Sequence, residues 1–209
     1  AYETSCSLVG SEMCIRDSWK EEKYRELQGQ YPVIFVSFAD VKERDYESAV
    51  RKIKHILVDL YLQYEFLKKN FSESEQMRYR QISYNMDNVA AQDALKSLAA
   101  LLSSYYGKKA IILLDEYDTP MQEAYIHGYW EEFTGFMRSM FNATFKTNPY
   151  LERAVMTGIT RVSKESMFSD LNNLNVVTMT SKEYATAFGF TGEEVFAALD
   201  SYGTVSYTH

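Results

Sequence analysis

The chain has 209 residues, of which 46% are hydrophobic and 15% aromatic, with a net charge of −7. That length suits one domain burying roughly 70% of its unfolded surface, and the composition excludes a disordered or disulfide-stapled chain. The negative balance supplies no basic field for nucleic acid or an anionic membrane, although a local basic patch is compatible with it. No apolar run approaches the ~20 residues that cross a bilayer. Glu3 and Glu12 interrupt the start in a way a secretory leader does not tolerate, and the two cysteines, Cys6 and Cys14, both lie near it. These features predict a cytoplasmic protein.

Residues 1–18 lack helical or strand periodicity and resemble vector- or adapter-derived strings, as does the stretch Val205–His209; the alternative is an ordinary flexible terminus. The expected domain therefore spans residues 19–203. Trp19–Gln28 reads as a charged helix with Gly29 beyond it. Val33–Phe38 is a continuous apolar strand. Asp45 is the expected N-cap of a long helix whose stripe runs through Tyr46, Val50, Ile53, Leu57, Leu60, Tyr64 and Leu67. Lys68, Lys69 and Asn70 are expected to close it. Residues 71–88 read as a loop or weak helix. A further helix carries Leu95, Leu98, Leu102 and Tyr105 and stops at Gly107.

Ala110–Leu114 is five apolar residues without alternation, leading into Asp115, Glu116 and Asp118 and then Pro120. Such a run fits a strand buried on both faces of a parallel sheet, where ligands bind outside the carboxyl ends of the strands. A short helix then breaks at His127-Gly128. A longer one carries Trp130, Phe133, Met137, Met140 and Phe141 and ends at Asn148-Pro149. Arg153–Thr157 is the third expected strand, Val176–Met179 a shorter fourth, and Thr191–Glu194 a capping box for a last helix. Strands alternating with helices give an α/β class with a mainly parallel sheet flanked by helices.

A strand ending in Asp-Glu matches the Walker B motif of P-loop ATPases. Asp115 can serve Mg²⁺ through a bound water, because that ion keeps several waters and takes few carboxylates. Glu116 can polarise the attacking water, an effect worth roughly 10²–10⁴ in rate. The plainer alternative is solvated loop charges or helix caps. Thr157 and Arg161 stand where a neighbouring strand could sense a γ-phosphate and neutralise developing charge. Their structural alternatives are a turn cap for Thr157, and an ion pair with Asp118 or Glu165 for Arg161. His55, His127 and His209 have no metal-ligand spacing, and Ser163 and Ser166 sit in no G-x-S-x-G pattern. Glu21-Glu22-Lys23 matches a nuclease E-x-K only superficially, with no aspartate-bearing strand before it.

Ala110–Pro120, Thr157–Ser166, Phe168–Asn175 and Phe188–Val195 resemble the predicted AAA-ATPase-like family of bacteria and some archaea, over roughly Tyr31 to Gly203. Members usually pair a P-loop ATPase domain with a PD-(D/E)XK nuclease-like domain. The resemblance implies a nucleotide partner, ATP with Mg²⁺ as cofactors, Asp115 and Glu116 as Walker B, and Thr157 and Arg161 as a sensor-like segment. It also implies departures. No G-x-x-x-x-G-K-[ST] string occurs among the nine glycines: Gly107-Lys108 has no glycine five positions upstream, and Lys109 follows. The family's P-loop and its strand precede the region near Tyr31, so the chain is expected to be an internal fragment lacking the P-loop strand and the nuclease-like domain. The lost strand would leave Arg153–Thr157 on an open edge. Two other readings are a non-catalytic α/β binding module and a Mg²⁺-dependent hydrolase using Asp115, Glu116 and Asp118.

Overall fold

The computed structural model describes residues 22–159, 174–178, 180–183 and 192–201. Two compact units are distinguished, one of Gly29–Asn173 and one of Ala1–Gln28 with Leu174–His209. The expectations for residues 1–18 and for the tail after Gly203 lie outside the described residues, as does Thr191 of the expected capping box.

In the larger unit the order is β1 (Val33–Ser37), α2 (Tyr46–Leu62), a 3₁₀ turn (Glu65–Asn70), α3 (Glu73–Arg80), α4 (Asn88–Tyr106), β2 (Ala110–Asp115), α5 (Thr119–His127), α6 (Trp130–Phe141), a π turn (Asn142–Lys146) and β3 (Leu151–Met156). The smaller unit contributes α1 (Glu22–Arg25) and α7 (Gly192–Ser201). The sheet is parallel, in the order β1-β2-β3. An α/β fold with a parallel sheet flanked by helices is therefore observed.

β2 is central, and its neighbours are set by register: Ile34 beside Ile112, Val36 beside Leu114, and Met156 on the other side of Leu114. These residues face a single core shared with Ile53, Leu57, Leu95, Leu98, Phe133, Met137 and Phe141 of the helices. The opposite face differs from the expected two-sided burial. Val33, Phe35 and Val155 are 43%, 57% and 49% exposed, and Ile111 and Leu113 are only half-buried. The strand alternates because the core lies on one side of the pleat.

Two further expectations are corrected, and the alternative left open at 71–88, a loop or a weak helix, is resolved to a helix. The long helix ends at Leu62 rather than near Asn70. Tyr64 donates its hydroxyl to the Val33 carbonyl at 2.8 Å, and i to i+3 bonds at Tyr64 and Leu67 tighten the chain into a 3₁₀ turn. Lys68 closes that turn by pairing with Glu65 at 2.7 Å. Within 71–88, α3 forms on a capping box: Ser72 Oγ accepts the Glu75 amide while the Glu75 carboxylate accepts the Ser72 amide. Tyr79 of α3 is then buried and donates to the Tyr61 carbonyl at 2.6 Å. Val176–Thr178 form no strand; Thr178 and Ser181 instead close a turn by exchanging two 2.9 Å bonds, from the Ser181 amide to the Thr178 carbonyl and from the Thr178 amide to Ser181 Oγ.

The one-sided burial gives a direct test. Ile34→Ala should lower unfolding free energy by about 2–5 kcal/mol, while Phe35→Ala on the adjacent exposed position should stay within about 0.5 kcal/mol. Denaturant titration of the two variants distinguishes them, and equal losses would contradict the one-sided sheet.

Candidate functional site

The parallel register that aligns the core also aligns three polar residues at the carboxyl ends of the strands. Ser37 lies directly beside Asp115. Thr157 follows Met156, and the ladder continues through it, its amide donating to the Leu114 carbonyl at 2.9 Å and its carbonyl accepting the Tyr117 amide at 3.1 Å. On the other side the Phe38 amide donates to the Asp115 carbonyl at 3.0 Å. The side chains then meet across the sheet. Thr157 Oγ1 donates to Asp115 Oδ1 at 2.7 Å, and Ser37 Oγ donates to Asp115 Oδ2 at 3.0 Å. A carboxylate accepts at about four lone-pair positions, so two hydroxyl donors orient Asp115 and leave acceptor capacity on both oxygens.

The chain turns sharply after this row. Glu116 has φ +49°, the one non-glycine residue in the left-handed region among the described residues. That conformation is uncommon for a side chain with a Cβ and costs about 1–3 kcal/mol. Thr119 offsets part of it, its amide bonding the Glu116 carbonyl at 3.3 Å and its hydroxyl bonding Glu116 Oε2 at 2.9 Å. Pro120 occupies the first turn of α5, where a missing N–H is harmless.

Asp118 faces inward and is 1% exposed. It accepts from Gln122 Nε2 at 3.0 Å. Gly158 lies against it: a Cβ there would stand 2.5 Å from Asp118 Oδ1 and 2.9 Å from Tyr117 Cε1. Glycine is required because nothing larger fits between the two loops. Among the described residues no three His, Cys, Asp or Glu side chains converge, so Asp115, Glu116 and Asp118 do not make a metal cage. The corner between α5 and α6 is tied to the loop after β1 by Tyr129, whose hydroxyl donates to the Glu43 carbonyl at 2.7 Å. Burial first, then the charges of Glu123, Asp45 and Glu43, push the Tyr129 pKa up to about 12.

The structure thus joins Asp115 to Thr157 directly and places Glu116 in the adjoining turn. Arg161, with its alternative partner Glu165, lies outside the described residues. Sequence reading missed Ser37 and Thr119. The signal for Ser37 was present, since it is a hydroxyl residue closing an apolar strand, but its value depended on knowing the register.

An α/β domain with a parallel sheet flanked by helices is the class of fold that the chain adopts. The chain belongs to the family described as "Predicted AAA-ATPase", whose profile matches residues 12–168. Over 94 residues it is 28% identical to a protein of Azotobacter chroococcum mcd 1 described as "Uncharacterized protein in vnfD 5'region". That match covers 44% of this chain and 18% of the relative. No solved structure matches. Among the described residues no helix is long and apolar enough to cross a membrane.

The close approach at Gly158 is testable. Gly158→Ala should destabilise by about 1–3 kcal/mol through overpacking. Combined with Asp118→Ala, it should show a coupling of about 0.5–3 kcal/mol in a double-mutant cycle, because the two positions touch. Additive losses in thermal or denaturant unfolding would contradict the contact.

Proposed function

We propose that this chain carries the cation and water side of an ATP-hydrolysing site, and that its partner ligand is a nucleotide. Asp115 holds Mg²⁺ through water, Glu116 orients and deprotonates the attacking water, and Thr157 with Arg161 responds to the γ-phosphate. The observation that carries this reading is the two-hydroxyl clamp on Asp115 at the carboxyl edge of the sheet. The donor set fits the ion. A single oriented carboxylate suits Mg²⁺, which retains most of its waters, better than it suits a cation needing six to eight protein oxygens. When bound, the ion supplies charge neutralisation for the phosphates.

The residues' own tasks follow from their placement. Asp115 presents fixed lone pairs to the hydration shell. Glu116 is anchored through Oε2 by Thr119, so Oε1 is the oxygen that takes the proton of the attacking water. Thr157 bonds the Asp115 side chain and the Tyr117 amide together, which makes it a link between cation and turn. The amides and lysine of a phosphate-cradling loop are not encoded in these 209 residues. Hydrolysis is therefore assigned to a longer protein of which this chain is a piece, with a nuclease-like domain proposed in the same parent, and the chain by itself turns over no ATP. A second reading, a non-catalytic binding platform, draws support from the exposed apolar face at Val33, Phe35 and Val155.

A phosphate-release assay separates these readings. The purified chain is expected to give no steady turnover. Turnover that Glu116→Gln abolishes would show the site to be complete without a glycine-rich loop. In a longer protein from the same gene that includes such a loop, Glu116→Gln should cut kcat by about 10²–10⁴ with little change in KM for ATP. An unchanged kcat would remove Glu116 from its assigned role and favour the platform.

A further inference from the structure

We infer that Ser37 is a positioning residue of this site, fixing the Asp115 carboxylate from the β1 side; the inference rests on the cation role proposed for Asp115. An ionised carboxylate only accepts, so the 3.0 Å contact commits the single Ser37 hydroxyl proton to Asp115 Oδ2. The Ala39 amide donates to the same Ser37 oxygen at 3.4 Å, which turns the hydroxyl rotor toward the acid. Thr157 holds Oδ1 from the opposite strand at 2.7 Å. The last torsion of an aspartate is broad and two-fold, so one clamp leaves the carboxylate plane free to swing, while clamps from both neighbours fix it. Ser37 also stands at the start of the loop that leads to Asp45, the N-cap of α2, whose carboxylate accepts the Ser48 amide at 2.8 Å. The orientation of the acid is thereby tied to the loop after β1 as well as to the loop after β3. Groups that orient a metal's ligand are commonly worth at least tenfold in metal affinity.

The test uses Mn²⁺ as the probe, an oxygen-seeking octahedral ion like Mg²⁺, with amide NMR on the 209-residue chain. Amides of Phe38, Glu116, Thr157 and Gly158 should broaden with Mn²⁺, and Asp115→Asn should abolish that response. Ser37→Ala should raise the half-effect concentration about tenfold, and Ser37→Thr, which keeps the hydroxyl, should restore it to within about twofold. If Asp115→Asn abolishes the response but Ser37→Ala changes only the unfolding midpoint, Ser37 is merely a cross-strand tie and the inference falls while the cation role stands. If the wild-type amides do not broaden, or Asp115→Asn leaves the broadening intact, the cation role falls and takes this inference with it.

Discussion

The arrangement depends on parallel register. Because Ser37 pairs with Asp115, and the ladder beyond Leu114 and Met156 runs on through Thr157, three polar side chains reach the sheet's end at the same level on the same side of the pleat. A slip of one residue in either pairing would send a hydroxyl to the opposite face and leave one Asp115 oxygen without its donor. The register is fixed by burial on the other face, where Ile34, Val36, Ile112 and Leu114 enter the helical core. Hydrophobic packing on one side of the sheet thus sets the geometry of a polar row on the other.

The turn after β2 shows what this placement demands. Only Glu116, Tyr117 and Asp118 separate the last residue of the strand from the first of α5. A reversal that short drives Glu116 into the left-handed region, with a strain of about 1–3 kcal/mol. The Thr119 bonds and the Tyr117 to Thr157 ladder bond oppose that strain. Gly158 then lets the neighbouring loop close onto buried Asp118. A glutamate held in a strained turn beside an oriented aspartate is a local conflict of the kind that functional sites retain.

Much of this is legible in the residues alone. The apolar runs of β1 and β2, the Asp45 and Gly107 helix ends, and the Asp115-Glu116 step each carry a local signal, and each falls where that signal places it. What failed had non-local causes. The stripe through Tyr64 and Leu67 keeps helical spacing, yet Tyr64 is drawn to the Val33 carbonyl and the backbone tightens. The apolar run of β2 suggests burial on both faces because composition reports hydrophobicity and not which side the helices cover. At 71–88 the polar composition left loop and weak helix both open, and the Ser72–Glu75 capping box with one buried tyrosine decides for the helix. Ser37 carries a local signal as a hydroxyl closing an apolar strand, but its meaning comes from a strand 78 positions away.

Electrostatics constrains how the site could serve the nucleotide proposed for it. The chain carries a net charge of −7, and three carboxylates fall within four consecutive positions at the sheet's edge. Like charges about 4 Å apart repel by roughly 4 kcal/mol at the effective dielectric of a protein surface. A bare triphosphate approaching Asp115 and Glu116 meets that repulsion, whereas one that carries a divalent cation turns the same acids into attractors. Under the proposed reading, cation and nucleotide therefore bind with positive coupling, and each raises the other's affinity by the same factor. The hydroxyl clamp fits that requirement. Under the same reading, by holding the carboxylate in one plane it would remove a reorganisation step from cation binding, so that a cation would meet an acid already aimed.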